Sequence, residues 1–500
     1  MTQIYTKLSI SKLFFLISLF TIIQLNSQTM IGLNHSNLSG IHQINFNPAN
    51  IADARHRLYI NAFTMNTGFN NDYLKLSLPF SIFNIMNPNQ IPSQYKNSAG
   101  QIKFDDAWLQ EDLNGKSKNF NLYAQLRTPG VMLKITKGIT VGFQVKNNVS
   151  FQINDVHESL ARTLRHGVDS SNGSIVYSGN NQFSVGQTFG DNSFSININA
   201  WGEIAGTIAA SVINTKKLSL KVGATPKYLM GYATGYIKNK GIILKVPSED
   251  TITFNQTDVS YGYTNPKDFE NFDANQFFKR KLQGGGIGYD LGVSFEYNPE
   301  ITEALTSKKN KYLFRGGISL LDAGSIKYNN PARNVRITNG NVDKHLLLDS
   351  NFINAFSKGE ANGIRYLDST MKTIFNFDSS NQVIKTAMPT TLNFQFDYNV
   401  LKNFYIGANW SQDLRGKKVI GIRKPSYITV IPRFESKLIE VSLPIGLMND
   451  YKTGRIGAFL RVGPVYIGTD NLIGQLRSKN YYGADFYFGA SFGIPSKKKD

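Results

Sequence analysis

Apolar and polar residues alternate along most of this chain in runs of about ten positions. Between Asn119 and Thr128, Phe120, Leu122, Ala124, Leu126 and Thr128 share one face, and Asn119, Asn121, Tyr123, Gln125 and Arg127 share the other. A period of two predicts a strand, because successive side chains leave a pleated backbone on opposite sides. Across the Lys137-Gly138 turn the pattern returns, with Ile139, Val141, Phe143 and Val145 opposite Thr140, Gly142, Gln144 and Lys146. It returns again in 193–201, 218–225, 391–400, 404–411 and 484–493. Several runs reach roughly ten to fifteen residues, where soluble strands average nearer five or six.

The charges keep to one side. Lys75, Arg127, Lys146, Lys221 and Asp397 all fall on the polar face. A Lys or Arg facing lipid at the bilayer midplane would cost roughly 2–4 kcal/mol. The chain therefore reads as all-β: a transmembrane antiparallel β-barrel of about fourteen strands, within a range of twelve to eighteen, with lipid outside and water inside. Arg57–Asn66 and Asp72–Pro79 read as the first hairpin, turning at Asn70-Asn71, and the strand ending near Thr136 is interrupted at Pro129-Gly130. Long polar connections are expected at 80–118, 154–192, 238–284 and 328–390, the last with a short helix around Asn351 to Lys358. Short turns are expected at 137–138, 214–217 and 401–403. Short turns on the periplasmic side and long loops outside are the habit of outer-membrane barrels.

The N-terminus predicts how the chain gets there. Lys7 and Lys12 precede the apolar run Leu13 to Leu25, which is too short to span a bilayer as a helix, and Asn26, Ser27 and Gln28 offer a cleavage region. Residues 1–27 read as a cleaved signal peptide that exports the protein to the outer membrane of a Gram-negative bacterium. Residues 28–56 read as an irregular, Asn-rich segment punctuated by Gly32, Gly40 and Pro48, folded at or into the lumen. The barrel then occupies 57–495 and a basic tail 496–500. Asn45, Asn47 and Pro48 are the candidate residues for a turn that would set such a plug.

Composition removes alternatives. The chain has no cysteine, which excludes disulfides, thiolate metal sites and a lipid-modified cysteine anchor. Its six histidines show no metal-ligand spacing, and no metal or cofactor is expected. Gly489-Ala490-Ser491-Phe492-Gly493 matches a nucleophile-elbow pattern but lies inside an alternating strand with no helix after it. The glycines of 284–288 also lead into a strand, so they form no phosphate loop. No enzyme is expected. The net charge is +19, with two lysines leaving in the signal peptide. Export argues against a nucleic-acid partner; the basic excess suits the anionic sugar-lipid of the outer leaflet or an anion-favouring lumen.

Four stretches resemble the DUF5723 type of outer-membrane protein from Bacteroidota, which is similar to the FadL and PorV barrel group. They are Gly40–Asn50 with its Asn-Pro-Ala core, Gly223–Leu229, Gly317–Tyr328, and Pro432–Glu435 continuing through Gly463–Asn471. The FadL likeness implies a roughly fourteen-stranded barrel whose N-terminal segment plugs the lumen and which passes hydrophobic molecules. The PorV likeness implies a barrel that partners the type IX secretion machinery. The last strand departs from the common pattern by ending near Ile494 and running into Pro495, not stopping on an aromatic residue. The leading functional expectation is passive transport of small hydrophobic solutes. The competing one is a non-catalytic scaffold for secretion or surface-assembly proteins.

Overall fold

The computed structural model describes residues 29–495 apart from 81–83, 85–87, 99, 104, 167–184, 191, 216, 249–250, 266–280, 300–311, 330–332, 340–344, 348–359, 376–382 and 477–481. The signal peptide 1–27, the tail 496–500 and the helix expected at Asn351–Lys358 lie outside the described residues.

Fourteen staves form one closed antiparallel ring. They are β1 (His56–Asn71), β2 (Lys118–Lys134), β3 (Ile139–Val156), β4 (Phe194–Asn214), β5 (Leu218–Ser248), β6 (Gly284–Tyr297) and β7 (Phe314–Tyr328). The ring continues with β8 (Thr391–Leu401), β9 (Phe404–Asp413) and β10 (Tyr427–Glu435). The next two staves are each broken once: β11 comprises Ile439–Ser442 and Ile445–Met448, and β12 comprises Thr453–Ile456 and Ala458–Val462. The last are β13 (Val465–Thr469) and β14 (Gly483–Pro495). Each pairs with its neighbours in sequence, and β1 pairs with both β2 and β14, which closes the barrel and leaves no sheet edge in the lipid.

The alternation sorts side chains as a lipid solvent demands. On β8, Gln395, Asp397 and Asn399 are buried inside, while Phe396 and Tyr398 are 49% and 41% exposed. Phe404, Ile406 and Trp410 face outward on β9, and Trp410 stacks on Phe394 at 5.0 Å. Arg127, Lys146, Lys221 and Asp397 all point inward and are buried. Pro129 cannot donate to a ladder, and the β2 register slips between Arg127 and Gly130 as the sequence suggested.

Two expectations are corrected. β1 has no hairpin partner in Asp72–Pro79: Leu74–Leu76 instead pairs with Leu109–Glu111 in a separate two-stranded sheet. Its alternation is satisfied by a small loop core of Leu78, Phe80, Ile91 and Trp108, so Lys75 sits in that loop, 3.6 Å from Asp112, and not in the lumen. The second concerns 238–284, where the polar sequence through Tyr263 is largely strand. β5 runs for 31 residues, far beyond the membrane, and returns as Thr251–Tyr263. Arg333–Asn339 and His345–Leu347 pair onto that return strand. The wall is thereby extended by an upper sheet with its own core of Phe254, Tyr261, Val335 and Ile337, against which Phe375 of the helix Glu360–Phe375 packs.

A filled lumen and the cavity it encloses

The segment before β1 lies inside the ring. It forms a short helix α1 (Ile31–His35) and two 3-10 turns, Gly40–Asn45 and Pro48–Asp53, and nearly all of these residues are buried. Its polar groups bond to staves all around the barrel. Ile31 N donates to Asp470 (3.2 Å), Ser36 Oγ to Glu440 (2.8 Å), Asn37 N to Glu435 (3.0 Å) and Asn50 Nδ2 to Gln395 (3.0 Å). Those carboxylates are held in turn by arginines of the wall: Arg433 Nε lies 2.7 Å from Glu435, and Arg461 Nε lies 3.0 Å from Glu440. At the end bearing the short turns the contact is apolar, with Ile41, Ile44, Ile51 and Ala52 packed on Tyr59, Met132 and Ala209.

The three candidate turn residues sit in this segment. Asn47 precedes the second 3-10 turn, accepts from Ala49 N through Oδ1 (3.0 Å), and donates from Nδ2 to the carbonyls of Val293 (3.0 Å) and Ile318 (3.3 Å). Pro48 takes the first position of that turn, where its missing N–H costs nothing. The wall gives way to them at glycines. A Cβ at Gly223 would lie 2.5 Å from Ala49 N, and one at Gly292 would collide with Asn47 Oδ1. Asn45 donates to the carbonyl of His42 (3.1 Å).

From the opposite end, residues 414–426 between β9 and β10 fold inward across the mouth. Gly421 N donates to Asn197 (3.0 Å), Arg423 N to Gln152 (3.1 Å), and Ser195 Oγ to the carbonyl of Lys417 (2.8 Å). Arg423 anchors the loop on Asp413 (2.8 Å) and Asp450 (2.9 Å). Sequence reading passed over this loop, whose basic, glycine-containing composition resembles any solvated connection; nothing local marks it as folding inward.

Between loop and segment lies a small cavity of about 50 Å³. Thr29, Asn34, Asn45 and Phe46 form one side and Ile422, Lys424 and Tyr427 the other. The wall supplies Arg127, Lys146, Glu203, Lys227, Asp290 and Asp322. Lys227 Nζ lies 2.6 Å from Asp290 and also pairs with Asp322; Lys424 reaches Asp322 at 2.5 Å, and Lys146 reaches Glu203 at 3.5 Å. A register slip in β7 aims Asp322 inward, with φ at 53°, a conformation uncommon outside glycine. Lys227 and Asp322 belong to the second and third resembling stretches, so motifs separated in sequence meet at one cluster.

Two histidines of the segment are buried among cations. Burial, reinforced by Arg433 and Arg315, holds His35 well below its ordinary pKa; burial, reinforced by Arg127, does the same to His42. His42 Nε2 lies 3.1 Å from Ser491 Oγ, the serine of the elbow-like motif. Ser491 is on strand β14, and His42 Nδ1 has no partner among the described residues, so the pair lacks an orienting third group. Among the described residues no group of three or more His, Cys, Asp or Glu could hold a metal, and no helix is long and apolar enough to cross a membrane.

Fold and site together define a transmembrane β-barrel of fourteen strands whose lumen is filled by its own N-terminal segment. The chain belongs to the family of unknown function DUF5723, whose model matches residues 48–470. No curated protein matches it. Among solved structures it is similar to the TodX deltaS2S3 mutant monoaromatic hydrocarbon channel (9% identity, 91% of this chain and 93% of that one, TM-score 0.37). It is also similar to the Ralstonia pickettii toluene transporter TbuX (7%, 91% and 94%, 0.30) and to a Pseudomonas aeruginosa FadL homologue (9%, 90% and 93%, 0.25).

Proposed function

We propose that this protein is an outer-membrane channel for small molecules, reached by a cleaved signal peptide and held shut at rest. The observation that supports this reading is the charged lumenal cavity. A wall that served only as a membrane anchor has no need of a charged cavity inside, yet here one lies between an inward-folded loop and the docked N-terminal segment. Passage requires both closures to yield. Residues 414–426 swing outward on one side, and the N-terminal segment shifts on the other. The sequence resemblance implies hydrophobic cargo, whereas the charged lining supports a polar one. Entry of labelled solutes into proteoliposomes, with and without residues 29–54, tests the reading. Solute entry that rises on deletion supports a closed channel; folded protein that admits nothing in either form removes it.

A second reading, a scaffold for surface partners, draws on the upper sheet. That extension and its helix add a platform that passage does not need. Replacing 251–263 and 333–375 with short turns separates the two, since a channel keeps solute entry and a scaffold loses its partner phenotype.

A further inference from the structure

The charges lining the cavity do not cancel. Three carboxylates, Glu203, Asp290 and Asp322, answer three lysines, Lys146, Lys227 and Lys424. Arg127 is the fourth cation of the lining and forms no ion pair among the described residues. Only 3% exposed, it donates Nε to Gln125 Oε1 (2.6 Å) and Nη1 to Asn34 Oδ1 (3.3 Å), both neutral. Its register partner on β3 is Lys146, a like charge directly opposite, which adds repulsion. A buried guanidinium with neutral partners and a cationic neighbour is costly unless an anion completes it. A second unsatisfied group lines the same cavity: the buried Oδ1 of Asn45 has no partner among the described residues, leaving an acceptor for a hydroxyl.

We propose that Arg127 and Asn45 mark a lumenal binding site for a small hydrophilic monoanion, a carboxylate carried on a hydroxylated body. The single surplus charge selects a monoanion. The planar fork of arginine matches a carboxylate. Thr391, Asn393 and Ser411 supply further polar lining for hydroxyls. Because Asn34 belongs to α1, an anion that takes over the guanidinium competes with a contact that holds the N-terminal segment in place. The solute's role as cargo rests on the channel reading above; its binding does not.

Gluconate is the test probe, with neutral glucose and cationic glucosamine as matched controls. Binding to the purified full chain is followed by calorimetry and by emission of Trp201, which lines the cavity. Wild type should bind gluconate at least tenfold more tightly than glucose or glucosamine. Arg127→Gln should cost about tenfold or more, and Arg127→Lys should keep the preference for the anion while weakening it. Heat-modifiable migration reports whether each variant folds. If Arg127→Gln does not fold, Asn45→Leu, which removes the hydroxyl acceptor along with the amide's bond to the His42 carbonyl, should still weaken gluconate several-fold while leaving acetate binding unchanged. Equal binding of gluconate and glucose by wild type, or no binding of any of the three, overturns the site. Binding without entry into proteoliposomes supports the site and removes the channel; entry of all three solutes at equal rates, with no preference in binding, supports the channel and removes the site.

Discussion

The two ends of the lumen are built on opposite principles. Toward the short turns, Ile41, Ile44, Ile51, Ala52 and Ala54 pack on Tyr59, Met132 and Ala209, a dry contact that excludes water by apolar burial. Toward the long loops, the same segment presents Thr29, Asn34 and Asn45 to a cavity ringed by paired charges. One end resembles a soluble core and the other a solvated binding site. The N-terminal segment thus acts as an apolar stopper below and a polar floor above, which lets a wall designed for water be sealed without filling it completely. Stability of the closure resides in the apolar end, and any selectivity resides in the polar one.

Substitutions can separate these roles. The largest effect is expected from Ile51→Asp, which places an unpaired carboxylate in the dry contact at a cost of several kcal/mol. Protease cleavage within 29–54 should become fast while the barrel keeps its heat-modifiable migration. Truncation at the same place, Ile51→Ala, should weaken docking by about 2–4 kcal/mol, read from the same cleavage rate. Asn47→Ala removes the cap on the second 3-10 turn and two bonds to wall carbonyls, and should cost about 1–3 kcal/mol.

The smallest of these effects is expected from pH. His35 and His42 have folded pKa values below the unfolded value of about 6.5, so docking favours their neutral forms. The stabilisation is complete above pH 6.5 and is lost progressively as pH falls below it, because the released segment then binds more protons than the docked one. Cleavage within the segment should accelerate between pH 6.5 and 5, and His42→Gln should flatten part of that dependence. Unchanged rates across this range would contradict burial of both histidines.

The barrel was legible because a membrane wall has only one way to place each residue. Phe396 must face lipid if Asp397 faces water, and twofold alternation records that choice locally. The dent that receives Asn47 was only half legible. Asn-Pro-Ala announced a turn, but Gly223 and Gly292 are far away in sequence and read as ordinary strand glycines until the turn is seated against them. Arg127 was visible as an inward charge; its lack of a carboxylate was not, since that depends on how Lys146, Lys227 and Lys424 divide Glu203, Asp290 and Asp322 among them. The error at Asp72–Pro79 has the same origin in reverse. Leu74, Leu76 and Leu78 alternate as barrel residues would, and a small loop core met that demand instead.

Single-channel conductance in planar bilayers, for the intact protein and for protein lacking residues 29–54, tests closure by the N-terminal segment most directly. Silence from the intact barrel and stable openings after deletion are expected. Equal conductance of the two forms, or silence from a deleted barrel shown to be inserted and folded, would contradict it.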